Sequence, residues 1–172
     1  MWNDEFRLKD DKYCINARHK AVKAGDKLSI PLIKHCIRTA LRLKMIELPC
    51  EVSVLITNDK NIRKMNNEFR HKDEPTDVLS FPMQEYSAPA VFKACRGDLC
   101  IVGDYLQLGD IVISAERVKV QASQYRNLLE RETAYLVVHS TLHLLGYDHI
   151  EETDRKLMRE QEKMVLDELG IN

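Results

Sequence analysis

No uninterrupted apolar run in this 172-residue chain approaches the roughly 18–20 residues needed to span a bilayer, which sets a membrane-crossing protein aside. The opening stretch, MWNDEFRLKDDKY, is charged throughout and so reads as no secretory signal. Cysteine is sparse: Cys14, Cys36, Cys50, Cys95 and Cys100 are odd in number and scattered. That distribution argues against a disulfide framework and for a reducing, cytoplasmic setting. Cys95 and Cys100 have no second cysteine pair to complete a zinc site, so they read as free thiols. The chain also lacks internal repeats and low-complexity segments, which excludes a solenoid or a disordered tract.

What is present is ordinary for a globular protein, 44% hydrophobic and 31% charged. The length predicts one domain over residues 1–172. A net charge of −1 conceals an uneven distribution. Residues 1–72 hold 16 Lys/Arg against 9 Asp/Glu, whereas residues 73–172 hold 10 against 18. One surface is thereby suited to a polyanion, although solvated helix faces produce the same bias.

The pattern predicts a small mixed sheet of about four strands packed with about five helices, an α+β fold. Residues 1–28 are poorly patterned, with YCINAR a weak edge strand. LSIPLIKHCIRTALRLKMI reads as a helix capped by Ser29, with Pro31 in its first turn. EVSVLIT (51–57) is a strand, followed by the helix KNIRKMNNEFR behind an Asn58 or Asp59 cap. VLSFPM is a further strand, and residues 84–108 form a long, weakly periodic connection. GDIVIS (109–114) is a short strand whose Ser114 opens the helix AERVKVQASQY. The most apolar helix runs from Leu128 to Leu145, and a charged amphipathic helix closes the chain.

The apolar helix carries the chemistry. HSTLHLLGYDH, residues 139–149, spaces three of the six histidines as H-x3-H-x5-H. His139 and His143 fall on one face, about 6 Å apart along the axis, so their imidazoles converge. Gly146 sits where the helix should end and turn, which brings His149 in from another direction. Three imidazoles suit one divalent ion with an open fourth position, the arrangement of catalytic zinc sites. Nickel, iron or copper also accept such nitrogen ligands. A zinc peptidase would carry glutamate after the first histidine, and Ser140 cannot replace that base. Asp148 is the nearest other carboxylate, either a base or second-sphere group or a turn-former.

A second constellation is NNEFRHKDEPTDVLSFPM, residues 66–83. Arg70 can pair two phosphate oxygens through its planar guanidinium, and Lys72 adds a cation nearby. A plain surface arginine at a helix C-terminus is the competing reading. Thr76 and Asp77 suit a turn, and Ser80 points either to a backbone bond or into a cleft. His71 reads as a solvated loop residue, and Asp110 as ordering a strand entrance or lining a cleft.

Together, FRHKDEPTDVLSFP, LGDIVIS and HSTLHLLGYDH closely resemble the YbeY family of bacterial endoribonucleases, over about residues 50–168. The resemblance implies a metal-dependent, single-strand-selective endoribonuclease with one zinc ion per chain. It also implies action on ribosomal RNA, notably the 3′ end of small-subunit 16S rRNA, and a part in ribosome quality control. The ribosomal small subunit or its assembly factors would then be partners. By the same resemblance His139, His143 and His149 bind the metal, with His139 in the catalytic centre. The resemblance also places a residue important for activity at Arg70, and the residue types lead us to expect that Arg70, with Lys72 and Ser80, meets substrate. Two other classes fit part of the pattern: a ribosome-assembly or RNA-binding factor with a purely structural metal site, and a zinc peptidase with an unusual base.

Overall fold

The computed structural model describes residues 12–92 and 99–171. In chain order, β1 (Tyr13–His19) leads through a short 3-10 turn to α1 (Ile30–Leu43). Then come β2 (Cys50–Thr57), α2 (Asp59–Arg70) and β3 (Val78–Pro82). Three short strands follow, β4 (Tyr86–Ala88), β5 (Val91–Phe92) and β6 (Ile101–Val102), before the long β7 (Tyr105–Ser114). Helices α3 (Ala115–Tyr125), α4 (Leu129–Leu144) and α5 (Glu152–Glu168) complete the fold. Among the described residues no helix is long and apolar enough to cross a membrane.

The expected α+β architecture is present, with a five-stranded mixed sheet at its centre. Its path is β1-β2-β7-β3, with β6 also paired to β7, while β4 and β5 form a separate hairpin. β1, β2 and β7 run parallel, and β3 returns antiparallel along the other side of β7. The weakly patterned YCINAR segment is a true edge strand, paired with β2 over its whole length. Its Tyr13 and Ile15 are buried, and the Tyr13 hydroxyl donates to the Ile46 carbonyl at 2.7 Å.

Helices α1 and α4 pack together over one face of the sheet. In α1, Ile33, Cys36, Ile37, Ala40 and Leu41 recur at intervals of three and four and are fully buried. The Ser29 cap accepts from the Leu32 amide at 3.3 Å, and Asn58 caps α2 through the Asn61 amide at 2.9 Å. On the opposite face α2 places Ile62 against Leu79 and Val112 in a smaller apolar cluster.

Two segments differ from the sequence pattern. The strand read as starting at Gly109 begins at Tyr105, because Gly109 forms a bulge and not a turn. The pairing with β2 skips Leu108 there, and a Cβ on Gly109 would lie 2.2 Å from the Phe81 carbonyl oxygen. The extra residue resets the alternation, so Leu106, Leu108, Ile111 and Ile113 all face the main core.

The 84–108 connection also carries structure. The β4–β5 hairpin closes over the end of α4: Tyr86 donates its hydroxyl to the Leu144 carbonyl, and the Ala90 amide donates to the Leu145 carbonyl at 2.8 Å. Those carbonyls are among the ones a helix C-terminus leaves without intrahelical partners. The connection thus seals the helix end that leads to the third histidine. Cys95 lies outside the described residues; Cys100 is an exposed free thiol.

Candidate metal centre

Helix α4 ends in a two-bond closure. The Tyr147 amide donates to the Leu142 carbonyl at 3.1 Å and the Gly146 amide to the His143 carbonyl at 3.0 Å. This closure needs a left-handed residue, and Gly146 supplies it with φ of 81°. A Cβ there would stand 2.7 Å from the Tyr86 ring. The chain reverses at this point and returns His149 to the face that carries His139 and His143.

The three rings converge. His139 and His143 have centroids 4.6 Å apart, and His149 lies 5.5 Å and 5.0 Å from them. One nitrogen from each ring falls within 4.8 Å of the others. The outward nitrogens are committed elsewhere: His139 Nδ1 is 2.7 Å from Glu162 Oε1, and His143 Nδ1 is 2.9 Å from the Tyr147 carbonyl oxygen. A carboxylate and a carbonyl only accept, so each Nδ1 is the donor there, and in a neutral ring Nε2 is then left with a lone pair.

Those two Nε2 atoms face each other at 3.2 Å. Two bare lone pairs repel at that distance unless a cation lies between them. Two nitrogens bound to tetrahedral zinc would stand about 3.3–3.4 Å apart. A proton can serve two nitrogens, but a third convergent imidazole calls for an ion with more than two coordination positions. The donor set therefore fits a divalent metal, and nitrogen ligands alone do not choose which one. Burial, reinforced by His139 and His149, pushes His143 down to about 4, so its ring is neutral and ready to bind near pH 7.

The sequence pattern did not single out Glu162. Its signal is a charge on the apolar stripe of α5, where Met158, Glu162 and Val165 are the buried positions. A glutamate that shares a face with buried Met and Val needs a partner, and here the partner is a histidine of α4. Ser140, in contrast, is fully buried and its hydroxyl has no hydrogen-bond partner among the described residues. The position of the peptidase glutamate is thus packed into the core.

A cavity of about 580 Å³ opens beside the histidines, lined in part by Arg70, Ser80, His143, Asp148 and His149. The structure thereby brings together residues from the two sequence blocks. Arg70 is exposed and forms no hydrogen bond or ion pair among the described residues. Asp148 accepts from the His149 amide at 2.7 Å, which fixes the turn while leaving its side chain on the cavity wall. Lys72 is not among the lining residues: His71 ends α2 in a left-handed conformation, φ 58°, and turns the chain away. Asp77 binds the Val78 amide at 2.8 Å and Gln121 at 2.8 Å, the turn-forming role its position suggested.

A larger cavity, about 840 Å³, lies on the other face of the sheet between β1, β2, β7 and α2, with Arg18, Phe69, Phe81 and Asp110 on its walls. Among the described residues, the one group of three or more potential metal ligands is His139, His143 and His149, beside the histidine-lined cavity and not here. Burial raises the Asp110 carboxyl above its ordinary value, opposed by a hydrogen bond with Ser53.

Comparison with known proteins follows the same residues. A family model described as Endoribonuclease YbeY matches residues 14–170. The chain is 42% identical over 162 residues to the endoribonuclease YbeY of Clostridium beijerinckii, covering 91% of this chain and 96% of that protein. It is 46% identical over 140 residues to the one from Fusobacterium nucleatum, covering 80% of each. Among solved structures, TM1509 from Thermotoga maritima is similar with a TM-score of 0.56 and 27% identity, covering 90% of this chain and 87% of that one.

Proposed function

Because the chain belongs to the YbeY endoribonuclease family, we propose that it is a metal-dependent hydrolase that cuts single-stranded RNA at the His139, His143 and His149 centre. The observation that carries this reading is the 3.2 Å approach of the His139 and His143 Nε2 atoms beside a cavity lined by an arginine that has no ion-pair partner among the described residues. The proposed substrate is ribosomal RNA, at the 3′ end of the small-subunit 16S species, in ribosome maturation and quality control. The setting is the cytoplasm, with the small subunit or its assembly factors as partners. One activity in one domain of residues 1–172 completes the reading.

A zinc ion held by the three histidines, or another divalent ion such as nickel, would supply Lewis acidity toward a phosphoryl oxygen or the attacking water. The protein's own residues set up the rest. Glu162 and the Tyr147 carbonyl hold the first two imidazoles in the tautomer that presents Nε2 to the centre. Arg70 binds the phosphate and offsets charge that builds on its oxygens as the P–O bond breaks. Ser80 donates from the strand at the cavity wall, and Lys72 adds positive potential two residues from Arg70. Asp148 is a carboxylate on the same wall, available to take a proton from water.

The test is cleavage of a defined single-stranded RNA by wild type, His143→Ala and Arg70→Ala, with bound metal quantified in each. Chelator-sensitive cutting that both variants lose supports the enzyme. RNA or ribosome binding without metal-dependent cutting would favour an assembly factor with a structural ion. Chelator-sensitive peptide turnover would favour a peptidase.

A further inference from the structure

His149 is a wall of two separate cavities. One is the Arg70 cavity. The other, about 200 Å³, lies between α4 and α5 and is lined by Tyr135, His139, His149, Met158, Glu162 and two arginines, Arg155 and Arg159. Each cavity that opens on the histidine cluster thus has its own guanidinium groups, supplied by α2 on one side and α5 on the other.

The placement of the α5 arginines is not accidental to the helix. They are four residues apart and so share a face, where like charges repel by a few tenths of a kcal/mol unless an anion lies between them. Met158 is buried in the core and Glu162 is held by His139 at 2.7 Å, which together fix how α5 is rotated. The arginines are then held beside the cluster by the same helix that orients a ligand. Among the described residues Arg155 makes a 3.4 Å hydrogen bond to the His149 carbonyl and a 3.6 Å pair with Glu152, both at the surface and weak. Arg159 forms no hydrogen bond or ion pair among the described residues. The one carboxylate lining this cavity, Glu162, is engaged by His139.

We propose that Arg159, assisted by Arg155, forms a second phosphate-binding subsite that takes the RNA phosphodiester next to the one held by Arg70. The cavity has room for a phosphate and part of its ribose but not for a base pair, which suits a single strand passing from one cavity to the other across His149. This rests on the RNA-cleaving reading above and adds where the strand goes. Arg159 is a positioning residue: it meets the backbone outside the bond that breaks.

Binding of a fluorescein-labelled single-stranded RNA, followed by anisotropy across a salt series, tests the subsite without requiring turnover. Each lost phosphate contact on a single strand should lower the slope of log K against log salt by about 0.7. Arg159→Ala is expected to lose that much slope and to weaken low-salt binding about three- to tenfold, Arg159→Lys to keep most of the slope, and the double variant with Arg155→Ala to lose more. Metal content should match wild type in all three. In cleavage assays the Arg159→Ala effect should fall on KM, in contrast to a kcat effect for Arg70→Ala. Wild-type slope and affinity in both Arg159→Ala and the double variant would overturn the subsite while leaving the enzyme reading intact. Failure of wild type itself to bind or cut RNA would overturn both, and is seen in the wild-type arm alone.

Discussion

His139 and Glu162, 23 residues apart in sequence, meet at 2.7 Å across the α4–α5 interface, Nδ1 to carboxylate. The carboxylate fixes the imidazole tautomer and makes Nε2 a stronger donor to an ion. Glu162→Gln keeps an acceptor but removes the charge, so metal affinity should fall about 10- to 100-fold. A competition titration with a chromophoric chelator measures this directly. Unchanged affinity would mean that the pair only joins two helices.

Arg70 should separate from that behaviour. It forms no hydrogen bond or ion pair among the described residues and lines the same cavity as His143 and His149. Arg70→Ala should therefore leave metal content and thermal stability intact while lowering kcat by about 10²–10³, the usual loss when a donor to a developing oxyanion is removed. Arg70→Lys should restore only part, since a point charge cannot pair two oxygens at once. Single-turnover cleavage with metal in excess makes the comparison.

The two sequence blocks were legible for physical reasons, and so were their limits. Histidines four apart on an apolar helix must share a face, and a glycine at the helix end permits the reversal that returns His149. Glu162 could not be assigned from spacing, because its partner lies on another helix and only tertiary packing brings them together. The start of β7 was hidden because Gly109 looks like a turn and acts as a bulge. The β4–β5 hairpin was hidden because strands of two and three residues take their conformation from what they cover, here the carbonyl end of α4. β1 was weak in the pattern because edge strands carry polar residues such as Asn16 and Arg18 on their open side.

Gly146→Ala should damage both stability and metal binding. The residue has φ of 81°, and an added methyl would meet the Tyr86 ring at 2.7 Å. Relief requires either a shift of the β4–β5 hairpin or an opened turn, and an opened turn moves His149. The expected destabilisation is about 1–3 kcal/mol, read from urea denaturation of the metal-free protein. A parallel metal titration should show weaker binding than that of wild type.

Asp110 gives a pH signature unconnected with the metal. Burial raises its carboxyl above the ordinary value of 3.8 in the folded protein. The folded state then holds this proton more tightly than the unfolded chain does. Its stabilising contribution is present below the ordinary carboxylate range and is lost as pH rises through the raised folded value. At neutral pH the ionised group opposes folding, and the nearby Glu51 adds to that opposition. Asp110→Asn keeps an acceptor for Ser53 and removes the charge. The variant should melt at a higher temperature than wild type at pH 7, and the difference should shrink as pH falls toward 3. Thermal melts at several pH values check the sign: a variant less stable at pH 7 would show that the hydrogen bond with Ser53, and not the burial of charge, governs this position.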